Sequence, residues 1–163
     1  MTLDAQKAGA LKADFLALSA ALTGFSTFRL LGTGQAEAYL ATLVKTVGEP
    51  IAGDLMSAFR AVADAAGGAE APLERGLRRE ILSDERLGPV ARNLIKLWFV
   101  GTWYALPPEW HARHGADSPV GTFAVSPDAF VEGLLWPTVG AGASGAKPLG
   151  YGMWATPPRF EGA

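Results

Sequence analysis

Apolar residues recur at three- and four-residue intervals through most of the first hundred positions, the spacing of one face of an α-helix. Leu11, Phe15, Leu18 and Leu22 mark the first stripe and Gly24 stops it, so a helix is predicted over Ala8 to Leu22. A second is expected from Gln35 to Val47, with Tyr39, Leu40 and Leu43 facing inward and Gly48 as its stop. Pro50 suits the first turn of a third, which carries Ile51, Leu55, Phe59 and Val62 as far as Gly67-Gly68. Pro72 similarly begins a short, charged helix through LERGLRREIL.

The strongest segment is PVARNLIKLWFVGTWYAL, which follows Gly88. Val90, Leu94, Leu97, Trp98 and Gly101 form one stripe, and Ile95, Phe99 and Trp103 widen it until it nearly encircles the helix. Such a helix belongs at the centre of a bundle, with Gly101 permitting close approach of a neighbour. Pro107-Pro108 are expected to end it. After a long loop, Ser126-Pro127-Asp128 supplies an N-cap, a first-position proline and an acid matched to the helix dipole. The last helix runs through Phe130, Leu134 and Leu135 and stops at Trp136-Pro137. No hairpin signal or alternating strand appears. The pattern predicts an all-α protein, a bundle of about five to six helices over residues 1–136. A long irregular Pro/Gly-rich tail over 137–163 is expected to belong to the same unit.

Charge changes the picture at that tail. From Pro107 onward only 8 of 57 residues are charged, against 22 of the first 106. Trp110, Trp136 and Trp154 lie in this part, and residues beyond Pro137 add Leu149, Tyr151, Met153 and Phe160. Disordered tails are polar and poor in aromatics. This one must bury its apolar side chains on its own bundle or against another chain.

Whole-chain composition mainly excludes. At 163 residues the chain is one domain's worth, and a net charge of -2 gives no electrostatic case for nucleic acid or an anionic membrane. The absence of Cys excludes disulfides, thiolate metal sites, haem attachment through C-x-x-C-H and cysteine nucleophiles. No apolar run approaches the roughly 18 residues that span a bilayer. The N-terminal MTLDAQKAGALKADF has neither the basic region nor the apolar stretch of a signal peptide, so no export address is expected in it.

Two motifs invite chemistry. Gly140, Gly142 and Gly145 spell G-x-G-x-x-G, the dinucleotide fingerprint, which requires a strand before it and a helix after it. Here the preceding SPDAFVEGLLW is helical in character and Lys147-Pro148 follows, so a tightly turning Gly-rich loop is the better reading. His111 and His114 sit with Glu109 and Asp117 in PPEWHARHGADSP, which could present two imidazoles and two carboxylates to a metal. A polar surface loop is the better reading of so unspecific a spacing, and we assign it no catalytic or metal-binding residue. Glu74, Arg75, Arg78, Arg79 and Glu80 read as a solvated helix face.

Three stretches, in order, resemble one family. FLALSAALTGF, from Phe15 to Phe25, is similar to the FxxLSxxLTG opening of the small subunits of membrane-associated FAD-dependent sugar and sugar-alcohol dehydrogenases, which include the sorbitol, fructose, glucose and gluconate enzymes. LGPVARNLIKLWFVG, from Leu87 to Gly101, resembles that family's L-x-P start and apolar helix ending in an aromatic pair and Gly. AFVEGLLWPTV and AKPLGYGMWATPP resemble its closing region, in which K-P-x-G precedes W-A-x-P.

The resemblance implies a subunit with no active site and no cofactor of its own. Its partner would be a large flavoprotein of the glucose–methanol–choline oxidoreductase type, which holds FAD and oxidises the sugar. A cytochrome c subunit often takes the electrons onward at the periplasmic face of the inner membrane. Small subunits of this family commonly carry a twin-arginine signal, but no Arg-Arg pair precedes Ala8 here. The signal is therefore absent from this sequence, carried by the partner, or unnecessary in a cytoplasmic complex. The expected partner contacts are Trp136, Pro137, Lys147, Pro148, Gly150, Tyr151, Gly152, Trp154, Pro157 and Pro158. The alternatives are a freestanding helical module for a small apolar ligand, and an enzyme built on the His111/His114 segment.

Overall fold

In a computed structural model, the structure describes residues 3–114 and 121–143. Helix α1 (Leu3–Thr23) is followed by a short α2 (Thr27–Gly32) and a long α3 (Ala36–Ala66). Next come α4 (Glu70–Gly76), a π-helical segment (Leu77–Leu82) and α5 (Leu87–Val100). Strand β1 (Thr102–Trp103), α6 (Pro108–His114), β2 (Phe123–Ala124), α7 (Pro127–Val131) and α8 (Leu135–Thr138) complete the order. The expected all-α class holds, with one addition. The two strands pair antiparallel, Thr102 opposite Ala124 and Trp103 opposite Phe123, a hairpin-like contact absent from the sequence reading. Each strand is two residues long, too short for any alternation to show.

The helices on either side of Gly48 are arms of one kinked element. Gly48 has φ 83° and ψ 157°, far from helical values, and Pro50 restarts the helix within a turn of it. Beyond Glu70 the expected helix through LERGLRREIL forms, but its second half winds as a π-helix rather than an α-helix. Gly76 there leaves room for Val62 of α3, whose Cγ1 would stand 2.6 Å from an added Cβ.

Helix α5 runs through the middle of the bundle, touching α1, α3 and the π segment. Asp84 caps its start: its Oδ1 accepts from the Arg86 and Leu87 N–H groups at 2.9 and 2.6 Å. Val90, Ala91, Leu94, Leu97 and Trp98 are buried, while Arg92 and Lys96 keep one edge in water. Trp98, 1% exposed, stands edge-on to Tyr39 with ring centroids 4.8 Å apart and lies 6.1 Å from Phe15. Removing a buried aromatic of this kind typically costs about 3–5 kcal/mol.

The helix ends earlier than the apolar run does. Gly101 takes a left-handed conformation (φ 66°) and donates its N–H to the Leu97 carbonyl at 2.9 Å, so TWYAL leaves as strand and loop. Buried Asn93 holds that exit. Its Nδ2 donates to the Tyr104 carbonyl at 2.7 Å, and its Oδ1 accepts from the Tyr104 N–H at 3.2 Å. Pro107-Pro108 do not lead into a loop: Pro108 opens α6, whose Trp110 is buried and donates Nε1–H to the Arg86 carbonyl at 2.8 Å. Trp110 therefore buries its ring on its own bundle, one of the two expected outcomes for the aromatic C-terminal part.

The expected last helix is two. Ser126 caps α7, its Oγ accepting from the Ala129 N–H at 3.0 Å, and α7 and α8 are separated at Gly133. Trp136-Pro137 lie inside α8 instead of ending the preceding helix, because Pro137 occupies a first turn, where no intrahelical N–H is required.

Both junctions with α5 are backbone on backbone. A Cβ on Gly101 would collide with the Ala129 carbonyl group, and one on Gly133 would stand 2.7 Å from the Phe99 carbonyl oxygen. Leu134 donates its N–H to the Trp98 carbonyl at 3.0 Å, and Val125 donates to that of Gly101 at 3.0 Å. Gly101→Ala combines left-handed strain with a clash that no rotamer change relieves. It is expected to destabilise the protein by about 2–4 kcal/mol, read as a lower urea midpoint; an unchanged midpoint contradicts the close approach.

Candidate functional site

Among the described residues, the exposed large hydrophobics are Phe28, Leu31, Tyr104, Phe130 and Val139. Phe28 is the most exposed, at 86%, and Val139 follows at 62%. All but Tyr104 belong to α2 or to the α7–α8 region. These two regions border one cleft of about 280 Å³.

Local sequence explains how α2 comes to present apolar side chains to water. The Ser26 hydroxyl accepts from the Arg29 N–H at 3.2 Å, which starts the helix. The Thr33 hydroxyl donates to the Leu30 carbonyl at 2.7 Å where it ends, and Gly34 (φ 71°) turns the chain away. In six residues only Leu30 reaches the core, which leaves Phe28 and Leu31 outside. The helix is missing from the sequence expectations because so short a segment has no period to read. Ser26 before an apolar run and the flanking glycines were the available signal.

Across the cleft, α7 and α8 are braced by internal bonds. Trp136 donates Nε1–H to the Phe130 carbonyl at 2.8 Å, and the two rings meet edge to face with centroids 5.1 Å apart. Ala141 donates its N–H to the Trp136 carbonyl at 2.8 Å, and Thr138 its hydroxyl to Leu134 at 2.7 Å. Phe28, Arg29 and Thr33 line one wall; Glu132, Trp136 and Pro137 line the other, and Ala141, Gly142 and Ala143 close the end. Of the expected partner contacts, Trp136 is half-buried and Pro137 exposed at this cleft. Lys147, Pro148, Gly150, Tyr151, Gly152, Trp154, Pro157 and Pro158 lie outside the described residues.

Helices, not a strand, precede the G-x-G-x-x-G glycines, as the sequence implied. Gly140 has φ 70° directly after α8, and its N–H closes a turn onto the Pro137 carbonyl at 3.3 Å. Gly145 is outside the described residues.

His111 and His114 are on a helix, α6, and not in the loop that the sequence led us to expect. Both rings lie 5.4 Å from that of Trp110. Among the described residues no group of three or more His, Cys, Asp and Glu comes together as metal ligands, and Asp117 is outside them. The charged face does form as expected: Arg78 pairs with Glu74 at 2.6 Å and Arg79 with Glu80 at 2.6 Å. These pairs are solvated and worth little. They border an open groove of about 910 Å³ over α3, floored by Ala58, Ala61 and Ala65. Among the described residues no helix is long and apolar enough to cross a membrane.

Tyr39, buried beside Trp98, feels the charge of Glu132. Burial first, and the negative charge of Glu132 second, push the Tyr39 phenol above its ordinary value of 10.0. The folded state therefore keeps this proton at a pH where the unfolded chain releases it, and stability falls as pH rises beyond about 10. Tyr39→Phe removes this dependence. Between pH 9 and 11 the variant is expected to lose less stability than the parent, by on the order of 1 kcal/mol in urea titrations; equal losses contradict the assignment.

No family model, curated protein or solved structure matches the chain, so the reading of this site rests on its own residues.

Proposed function

We propose that this chain is a non-catalytic accessory subunit. It binds and stabilises the FAD-containing catalytic subunit of a sugar or sugar-alcohol dehydrogenase, and takes part in its export to the periplasm. The reading is carried by the ordered resemblance of three stretches to the small subunits of those complexes. Their placement supports it. FLALSAALTGF lies along α1 and the turn after it, LGPVARNLIKLWFVG is α5 with its glycine cap, and AFVEGLLWPTV is α7–α8. The three meet at Trp98, through the Phe15 ring on one side and the Leu134 N–H on the other. Their shared part is thus one packed unit, with an apolar end at α2 and α8.

The mechanism is complementation. A protein that binds only the folded flavoprotein stabilises it by mass action, by about 2.7 kcal/mol at a hundred times the dissociation constant. FAD stays in the partner, a flavoprotein of the glucose–methanol–choline type, and a cytochrome c subunit accepts electrons in complexes so equipped. Trp136 and Pro137, with Lys147, Pro148, Gly150, Tyr151, Gly152, Trp154, Pro157 and Pro158, form the docking strap. Aromatic anchors of this kind dominate many interfaces.

Co-expression with a flavoprotein of the glucose–methanol–choline type from the same genome tests the reading. Copurification, and dye-linked dehydrogenase activity lost when this chain is left out, are the expected results. A flavoprotein equally soluble and active alone contradicts it. Deleting residues 144–163, which spares every described element, is expected to lower the yield of complex at least tenfold; undiminished recovery removes the strap from the account.

A further inference from the structure

We infer that the exposed face of α2, with the end of α8, is a second contact surface for the flavoprotein, anchored by Phe28 and flanked by Arg29. The inference rests on the accessory-subunit reading and adds to it a surface on α2 that the docking strap does not include.

Isolated surface hydrophobics need no explanation, but a cluster does. Phe28 and Leu31, three apart on α2, share one helix face, and Phe28 borders the same cleft as Trp136. Val139 follows α8 and is also exposed, and no core contact accounts for Phe28 at 86% exposure. Charge is sparse in the same place. Arg29 is the only charged residue of α2, and it forms no ion pair among the described residues. Aromatic residues and Arg with few other charges are what the centres of protein interfaces favour over ordinary surface.

Two observations choose the occupant. Trp136 and Pro137, where the proposed strap begins, line the cleft, buried Ala143 closes its end, and the 20 residues that follow carry the rest of that strap. A partner holding that strap is brought against α2, because the strap starts there. Arg29, which has no ion pair among the described residues, sets the partner's chemistry: an apolar side chain that covers Phe28, beside a carboxylate that pairs with Arg29.

The test uses the full-length chain and the flavoprotein, with affinity measured by interferometry. Phe28→Asp is expected to weaken binding at least about 30-fold, and Arg29→Glu to slow association and reduce its salt dependence. Ala61→Asp, on the α3 groove, is expected to bind as the parent does. Parental affinity for Phe28→Asp overturns the inference while leaving the accessory reading intact; a parent chain that does not bind the flavoprotein overturns both. Sedimentation and thermal melting of the free chain test the other occupants. A dimer lost in Phe28→Asp assigns the face to a second copy, and a Tm lowered by several degrees assigns it to this chain's own strap. Either result overturns the inference.

Discussion

The arrangement of the functional end depends on one constraint: backbone must lie against backbone where α5 meets α7 and α8. Gly101 accepts the Ala129 peptide at a distance that excludes any side chain, and Gly133 does the same with Phe99. With both side chains absent, the Leu134 N–H reaches the Trp98 carbonyl, and the segment bearing Trp136 is fixed to the central helix. Short helices such as α7 and α8 have too few hydrogen bonds to persist alone. They hold their place because the junction is narrow and hydrogen-bonded.

Trp98 lies behind that junction. It joins α1 through Phe15, α3 through Tyr39 and the C-terminal elements through its own carbonyl. The same residue therefore belongs to the core and supports the surface. Tyr39 extends the connection toward Glu132 at the cleft. A bundle built in this way is a rigid platform of the kind the proposed partner contacts call for, because rigidity lowers the entropy lost on association.

Much of the architecture could be read from local signals with a physical cause. Gly48 and Pro50 mark the kink in α3, Ser126-Pro127-Asp128 the start of α7, and Gly101 both a stop and a close approach. The misses share a different cause. Helix α2 is six residues with its apolar side chains on more than one side, so its period is unreadable. Pro107-Pro108 look like a terminator, but proline also suits a first helical turn, and that use hid α6 and the burial of Trp110. The site was half legible. Trp136 and Pro137 stood out by composition, whereas Phe28 and Arg29 matter only once folding brings α2 beside α8.

In the proposed function this chain acts by contact, with the chemistry in its partner. Hydrogen–deuterium exchange of the chain, free and mixed with the flavoprotein, tests that claim most directly. Slowed exchange confined to the backbone of residues 27–33 and 130–139, within the described part of the chain, is the predicted result. Identical exchange in the two samples would contradict it.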